Sequence, residues 1–357
     1  MVFKNTKIIL AFTLSILLLG EFTACTKRET KRELRLYTWS EYFPDSVLRE
    51  FEKEYNVQVK ADYFSSNEQL LTKLQLSINS ADTGYDLILP SDYAVAGMVE
   101  LKLLKPLDKT KLNFLNDFDP AFLHPPYDKN LEYTIPMASG TTGIAVNTSI
   151  LPNVDPTKLT WKDFFENPAY EGKATLLNDQ KEVLQVALLI KGKNLATASE
   201  QDIKDAFTYL KAHKNNIRAF TDETKPVIEA GDCGLCHVYS GEGLSAQRSN
   251  PKIRYVIPKE GATIWTDNFA IPRNAKNDDL AYAFINKALS TENAKRFMEN
   301  MNYQTMNTKA KAQLPKELAE NPFLFPSAKL GKKLYYINVK KEFTLLLDRG
   351  WTELKSQ

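Results

Sequence analysis

Cysteine and histidine are scarce in this chain, which has three of each among its 357 residues. So few cysteines exclude a small scaffold held together by several disulfides. Basic and acidic side chains nearly balance, with a net charge of +2 at pH 7, so we expect no general attraction to nucleic acid. Beyond residues 1–24, no stretch approaches the roughly 20 apolar residues that a membrane-spanning helix needs. The remaining chain is long enough for two domains of ordinary size.

Motifs of common enzymes are missing as well. Val238 stands where a Gly-x-Ser-x-Gly motif around Ser240 has its first glycine, and no glycine-rich loop ends in Lys-Ser or Lys-Thr. His124 and His213 lie at no metal-ligand spacing from the cysteines of the chain. We therefore expect no enzyme, and no metal ion or other cofactor.

The N-terminus has the pattern of a secretory signal. Two lysines precede the apolar stretch 8–20, and small residues then lead to Cys25. A cysteine at this place resembles the cleavage site of bacterial lipoproteins, which implies that residues 1–24 are removed and that Cys25 is lipidated. The charged segment 25–33 is then a tether to the membrane. The alternative is an ordinary secretory signal followed by a chance cysteine.

Strands and helices alternate closely after the tether. The patterns predict strands at 34–39, 56–61 and 85–90, with helices at 45–55 and 67–80 between them. This alternation is typical of a parallel sheet with right-handed crossovers. Ligands of such sheets bind beyond the carboxyl ends of the strands.

A second series with the same alternation follows. Its predicted strands are 142–146, 174–177, 234–239 and 254–258, and its predicted helices are 159–165, 183–191, 202–212 and 224–230. The last part of the chain is mainly helical, with predicted helices at 278–289, 291–300 and 340–354. The fold class is therefore α/β.

Aromatic and acidic residues gather at the ends of the predicted strands. Trp39 to Tyr42 close the first strand, and Trp265 to Asp267 form a similar group much later. Aromatic faces attract ammonium groups, and carboxylates accept charge-assisted hydrogen bonds from them. Asp179 and Glu182, three residues apart at a predicted helix start, can face one ligand from the same turn. The pattern favours a receptor for an extended organic cation.

Four segments carry a resemblance to a known family. They are Leu-Tyr-Thr-Trp-Ser-Glu-Tyr at 36–42, Tyr-Asp-Leu-Ile-Leu-Pro-Ser at 85–91, Ile-Trp-Thr-Asp-Asn-Phe-Ala-Ile-Pro at 264–272 and Asn-Tyr-Gln-Thr-Met-Asn at 302–307. In this order the chain resembles the bacterial spermidine/putrescine-binding proteins of polyamine ABC importers. The resemblance implies a two-lobed periplasmic-binding-protein fold of type II, closing at a hinge. It places lobe 1 at 34–140 plus 266–311, and lobe 2 at 141–265 plus 312–357.

The resemblance also implies the binding residues. Its aromatic box falls on Trp39, Tyr42, Tyr93, Tyr239, Trp265 and Tyr303; its carboxylates on Glu41, Asp179, Glu182 and Asp267; and its hydroxyls on Ser40 and Ser91. Ile337 replaces a family glutamine, and glutamate after Ser40 resembles the members that prefer spermidine. The implied partners are a polyamine and the permease of an ABC importer, with the protein acting as a monomer anchored in the periplasm.

Two alternatives to this interpretation stay open. The first is the same fold binding another cationic or zwitterionic solute, such as a basic amino acid or betaine, for which Arg273 is the nearest arginine. The second concerns Cys233-Gly-Leu-Cys236-His237, a c-type haem attachment pattern that also suits a disulfide, a metal ligand pair or two structural thiols. Because side chains alternate along a strand, we expect the two sulfurs on opposite faces.

Overall fold

The computed structural model describes residues 31–77 and 84–356. The predicted signal peptide, the lipidation site Cys25 and most of the tether lie outside the described residues, as does the end of the helix predicted at 67–80. Residues Glu33–Gln357 form one compact unit. Among the helices of the described part, none is long and apolar enough to cross a membrane.

Ten strands form a single mixed sheet. Its main path has the order β2-β1-β3-β9-β4-β7-β5-β6, while β10 pairs with β9 and β8 pairs with β4. The strands are β1 (Glu33–Trp39), β2 (Gln58–Phe64), β3 (Leu87–Ile88), β4 (Thr134–Asn147), β5 (Ala174–Leu177), β6 (Ile217–Thr221), β7 (Leu235–Tyr239), β8 (Ile253–Val256), β9 (Ala262–Ala270) and β10 (Leu334–Tyr335).

Two long antiparallel strands run through the middle of this sheet. Their register extends from Thr134 opposite Ala270 to Thr142 opposite Thr263, with one irregularity near Pro136. On one side β9 continues to the parallel strands β3, β1 and β2, and on the other β4 continues to β7, β5 and β6. The prediction of parallel pairing is confirmed among β1, β2 and β3 and among β5, β6 and β7. It is wrong for β4 and β9, which pair antiparallel with each other and with β3, β7 and β8.

The helices follow the predicted positions closely. They are α1 (Asp45–Tyr55), α2 (Asn67–Leu76), α3 (Asp92–Glu100), α4 (Trp161–Glu166), α5 (Gln180–Ile190), α6 (Glu200–Ala212), α7 (Thr224–Ala230), α8 (Ser240–Ser249), α9 (Asp278–Ala288), α10 (Thr291–Met301), α11 (Thr308–Lys311), α12 (Lys316–Ala319), α13 (Ala328–Gly331) and α14 (Thr344–Ser356). Helices α3 and α8 were not predicted, and each begins at a strand end.

Each half of the sheet has its own apolar cluster. The first contains Phe51 of α1 and Phe284 of α9, whose rings meet edge to face at 5.1 Å. The second contains Trp161 of α4, which is completely buried and donates its indole N–H to the carbonyl of Gly261 at 2.8 Å. Burial of each such side chain contributes roughly 1.5–3 kcal/mol. Separate clusters agree with two lobes, whose boundaries along the chain stay a prediction.

The cysteine pattern is placed differently from its prediction. Strand β7 begins at Leu235, so Cys233 precedes the strand and only Cys236 belongs to it. The hydroxyl of Thr175 lies 3.6 Å from the sulfur of Cys233 and 3.1 Å from that of Cys236. The expectation of opposite faces is therefore wrong: both thiols, free in the structure, enter one buried cluster.

Candidate functional site

The predicted site residues lie at strand ends and on the central strand β9. Trp39 ends β1, Ser91 precedes α3, and Tyr239 ends β7 directly before α8. On β9 itself, Trp265 and Asp267 are two residues apart, so their side chains lie on the same face of the strand. Both halves of the molecule therefore contribute residues around β9.

Asp267 is the centre of the best-defined contacts. Its carboxylate accepts hydrogen bonds from the hydroxyl of Tyr42 and from that of Ser91, the latter at 2.5 Å. The side chain is only 4% exposed. Burial raises the pKa of Asp267 to about 6, while the two hydroxyl groups act in the opposite direction. A cation that enters this place meets a carboxylate already held in position by two donors.

Four aromatic rings in contact with one another lie beside Asp267. The ring of Tyr303 lies 4.8 Å from that of Trp265 and 6.4 Å from that of Tyr42, and Tyr239 meets Trp265 at 6.0 Å. Most of these contacts are edge to face, which leaves ring faces for other partners. The structure thus brings together four of the six predicted aromatic residues.

Trp39 lies near this group and packs against Phe64 with ring centroids 4.4 Å apart. The indole N–H groups of Trp39 and Trp265 are both buried and have no hydrogen-bond partner within the described residues. Buried donors are normally satisfied. Two unsatisfied donors beside an aromatic and acidic cluster are consistent with a place for a polar ligand or water.

Asp179 and Glu182 flank the start of α5. Asp179 caps the helix, because one of its oxygens accepts hydrogen bonds from the backbone N–H groups of Lys181 and Glu182 at 2.8 and 3.1 Å. Burial raises the pKa of Asp179. Glu182 is 3% exposed and accepts a hydrogen bond from Thr142 of β4 at 3.0 Å. The cap connects the acidic pair to the sheet.

The ring of Tyr93 is in contact with a cation of the same chain. The ammonium group of Lys181 lies 4.6 Å from the centre of the Tyr93 ring. The same group forms an ion pair of 2.5 Å with Glu68 of α2. Lys181 therefore shows that this ring can take an ammonium group on its face, and it occupies a ring that was predicted to contact the ligand.

The remaining predicted residues, Ser40 and Glu41, are exposed in the turn after β1. Glu41 adopts a positive φ of 68°, a conformation that non-glycine residues seldom adopt. In the described part of the chain, no side-chain hydrogen bond connects Ser40 to the other site residues. Ile337, at the position of the family glutamine, is buried in the second apolar cluster.

Sequence reasoning missed two carboxylates. Asp92 is buried and accepts a 2.6 Å hydrogen bond from the backbone N–H of Thr266, beside Asp267. Glu242 of α8 accepts a hydrogen bond from Thr224. Burial, followed by the charge of Glu41, raises the pKa of Glu242 to about 7. The sequence contains a pattern that could have indicated Glu242. This residue follows Tyr239 by three positions at a helix start, just as Glu182 follows Asp179.

Carboxylates alternating with aromatic rings define a site for a solute that carries positive charge and apolar surface. Within residues 31–77 and 84–356 no group of three or more histidine, cysteine or acidic residues could hold a metal ion. Such a site, between two halves joined by crossing strands, is the arrangement of a solute receptor.

Comparison with known proteins agrees with this class. Residues 46–326 match the model of the bacterial extracellular solute-binding proteins. The spermidine/putrescine-binding periplasmic protein 1 of Haemophilus influenzae is 34% identical, over 94% of this chain and 95% of that protein. The chain belongs to the bacterial extracellular solute-binding protein family and is not an enzyme.

Solved structures show the same fold. The spermidine/putrescine ABC transporter substrate-binding protein of Streptococcus pneumoniae superimposes with a TM-score of 0.78 at 30% identity, covering 91% of this chain and 99% of that one. A lipoprotein of Treponema pallidum gives a TM-score of 0.80 at 28% identity, covering 91% of this chain and 100% of that one. The predicted two-lobed α/β fold is confirmed.

Proposed function

We propose that this protein is an extracytoplasmic receptor for polyamines, spermidine or putrescine, and that it delivers them to an ABC importer. The observation that carries the proposal is the Asp267 carboxylate, which is buried, held by Tyr42 and Ser91, and bordered by aromatic rings. The similarity to spermidine/putrescine-binding periplasmic proteins supports the same ligand class.

The chemistry of a polyamine matches this cluster. A protonated polyamine alternates ammonium groups with methylene chains, so it suits a site that alternates carboxylates with apolar ring faces. Each desolvated cation–π contact contributes about 2 kcal/mol. Several such contacts together with charge-assisted hydrogen bonds are enough for micromolar affinity, which corresponds to about −8 kcal/mol.

Three groups of residues have distinct roles in the proposal. Asp267 binds one ammonium group, and Asp179 with Glu182 binds another beyond the rings. Glu41, together with Glu242, adds negative charge at a third place, which favours a triamine such as spermidine over putrescine. Trp39, Tyr42, Tyr93, Tyr239, Trp265 and Tyr303 contact the methylene chain, and Ser40 and Ser91 supply hydroxyl groups.

Delivery requires a partner and a location outside the cytoplasm. In the proposal the lobes close on the polyamine and present the closed form, as a monomer, to the permease. Lipidation of Cys25 anchors the protein to the membrane in this proposal, and the similarity to a lipoprotein of Treponema pallidum supports this anchoring.

Titration calorimetry of the mature protein with putrescine, cadaverine, spermidine and spermine tests the proposal. We expect micromolar or tighter binding, strongest for spermidine, and no heat from an uncharged diol of similar length. A thermal-shift screen of arginine, lysine and betaine tests the alternative solute class. Arg273, the arginine considered for a ligand carboxylate, is exposed. Binding of an amino acid without binding of any polyamine contradicts the proposal.

A further inference from the structure

A group of polar side chains lies beneath the candidate site, on one face of the central strands. Thr263 of β9 is opposite Thr142 of β4, and Thr142 is in turn opposite Tyr239 of β7. Residues opposite each other in a sheet share a face, and His237 is two residues before Tyr239, so its ring is on that face too. Glu182, which accepts the hydroxyl of Thr142, covers this row from α5.

The histidine and the glutamate face each other without a complete hydrogen bond. Nε2 of His237 is 4.0 Å from Oε2 of Glu182. His237 is completely buried and Glu182 is 3% exposed. Oε2 of Glu182 and both ring nitrogens of His237 have no hydrogen-bond partner among the residues that the structure describes. Unsatisfied polar atoms at this depth are costly and need an explanation.

An ionised Glu182 in this state is unfavourable, because a buried carboxylate needs a cation or several donors. The hydroxyl of Thr142 donates to it at 3.0 Å and the hydroxyl of Thr263 also acts on it, but neither group carries a positive charge. The cation is the missing component, and in the proposed function it is an ammonium group of the ligand.

We propose that Glu182 binds the ligand's ammonium group by releasing a proton, and that His237 is the positioning residue whose imidazole N–H then holds the ionised carboxylate. The inference rests on the proposed function and deepens it. The step is balanced: the neutral carboxyl group gives its proton to the buffer, the carboxylate pairs with the ligand's ammonium, and the imidazole stays neutral throughout. A relative movement of about 0.8 Å brings Nε2 of His237 from 4.0 Å to hydrogen-bond distance from Oε2 of Glu182.

The surroundings of the pair agree with neutral groups in the free protein. Burial, followed by the charge of Asp179, raises the pKa of Glu182 to about 8. Burial lowers the pKa of His237 to about 3. The other titratable groups that interact with Glu182 are Asp92 of α3, Tyr239 of β7 and Tyr255 of β8. The ring of Trp161 covers the imidazole edge to face at 5.1 Å.

Proton release can be measured by titrating the full mature protein with putrescine at pH 7 in phosphate and in Tris. Alkyl amines, with a pKa near that of lysine, about 10.4, are already charged at this pH. The difference in observed heat between buffers of different ionisation enthalpy gives the protons released per ligand. We expect a net release of protons when putrescine binds to the wild type. Glu182→Gln should release about one proton less per bound ligand.

Two substitutions of the histidine separate positioning from packing. His237→Leu removes the donor and should weaken putrescine binding about tenfold at pH 7, with the pH profile of affinity displaced upwards by about one unit. His237→Gln keeps an N–H donor and should restore most of the wild-type profile. His124→Leu, at an exposed histidine, is the matched control and should change neither quantity.

Three results overturn the inference. They are binding with equal heat in both buffers, proton release from Glu182→Gln equal to that of the wild type, and pH profiles of His237→Leu and the wild type that coincide. Absence of putrescine and spermidine binding to the wild-type protein is a different result, because it contradicts the proposed function and the inference together.

Discussion

At the scale of single residues, Asp267 is held by two side-chain hydroxyl groups from distant parts of the chain. Tyr42 and Ser91 are 225 and 176 positions away in the chain, yet both donate to this carboxylate. Two directed donors hold the side chain in one orientation, so little conformational entropy is lost when a cation binds. Glu41, by contrast, is exposed, so its side chain loses conformational entropy when it binds a cation.

Asp267→Asn should weaken spermidine binding by about tenfold or more, because the substitution removes the charge from one charge-assisted contact while keeping the shape. Titration calorimetry measures the change. Asp45→Asn, at an exposed aspartate of α1, is the control and should bind like the wild type. Equal affinity of Asp267→Asn and wild type would remove Asp267 from the proposed site.

Glu182 allows a prediction about pH and stability. Its pKa of about 8 lies above the ordinary value of 4.5, so the folded state favours the protonated form. The stabilisation is fully present below the ordinary pKa and is lost as the pH rises through the folded value. In urea unfolding without ligand, we therefore expect the free energy of unfolding of Glu182→Gln, relative to that of the wild type, to rise by at least about 1.4 kcal/mol between pH 5 and pH 8. This change is the equivalent of one pKa unit.

The control for this measurement is Glu317→Gln, at an exposed glutamate. Its free energy of unfolding should change with pH in the same way as that of the wild type. If the free energy of unfolding of Glu182→Gln also changes in that way, Glu182 is ionised in the free protein, and burial does not control its charge.

At the scale of elements, the site depends on three helix starts and one strand. Helices α3, α5 and α8 begin at Asp92, Gln180 and Ser240, directly after Ser91, Asp179 and Tyr239. Each strand end thus changes into a helix at the residue that faces the site. This arrangement fixes the side chains by the hydrogen bonds of regular elements, which loops of the same length do not provide.

The patterns predicted seven of the ten described strands and most of the long helices, because their apolar residues recur with clear periods, whereas β6, β9 and β10 were not predicted. Helix α8 escaped prediction since its sequence, Ser-Gly-Glu-Gly-Leu-Ser-Ala-Gln-Arg-Ser, is poor in helix formers and is stabilised by packing. Strand β4 was predicted only from Thr142, since Pro136 and Gly140 are unusual inside strands. The site residues were assigned by resemblance, and their convergence needs tertiary contacts that no local pattern encodes.

Gly140 gives a prediction at this scale. A Cβ atom there would lie 2.4 Å from Cζ2 of Trp265 and 3.0 Å from the hydroxyl oxygen of Ser240. Gly140→Ala should therefore displace the indole and weaken spermidine binding by roughly tenfold, the scale of one lost ring contact. Tryptophan fluorescence and titration calorimetry check the displacement and the affinity.

Gly97→Ala is the matched control, because a Cβ atom at this position of α3 has nothing within 4 Å. In a helix interior the change should stabilise the protein by roughly 0.5–1 kcal/mol and leave the affinity unaltered. Wild-type affinity in Gly140→Ala would show that the position of the Trp265 ring does not matter for binding.

At the scale of the whole molecule, the two halves are joined by a continuous sheet and are also linked by charges. Lys181 of α5 pairs with Glu68 of α2 at 2.5 Å, and Lys341 pairs with Glu100 of α3. The pair of Lys341 and Glu100 is exposed on both sides and contributes about 0–1 kcal/mol, whereas the side chain of Lys181 is only 15% exposed. In the proposed function, the lobes close on the solute about the strands that join them.

A crystal structure of the mature protein with spermidine tests the central claim most directly. The account predicts one ammonium group within hydrogen-bond distance of Asp267, another at Asp179 and Glu182, and the methylene chain against Trp265 and Tyr239. A ligand bound away from β9, or one whose amines contact only water at these carboxylates, would contradict it.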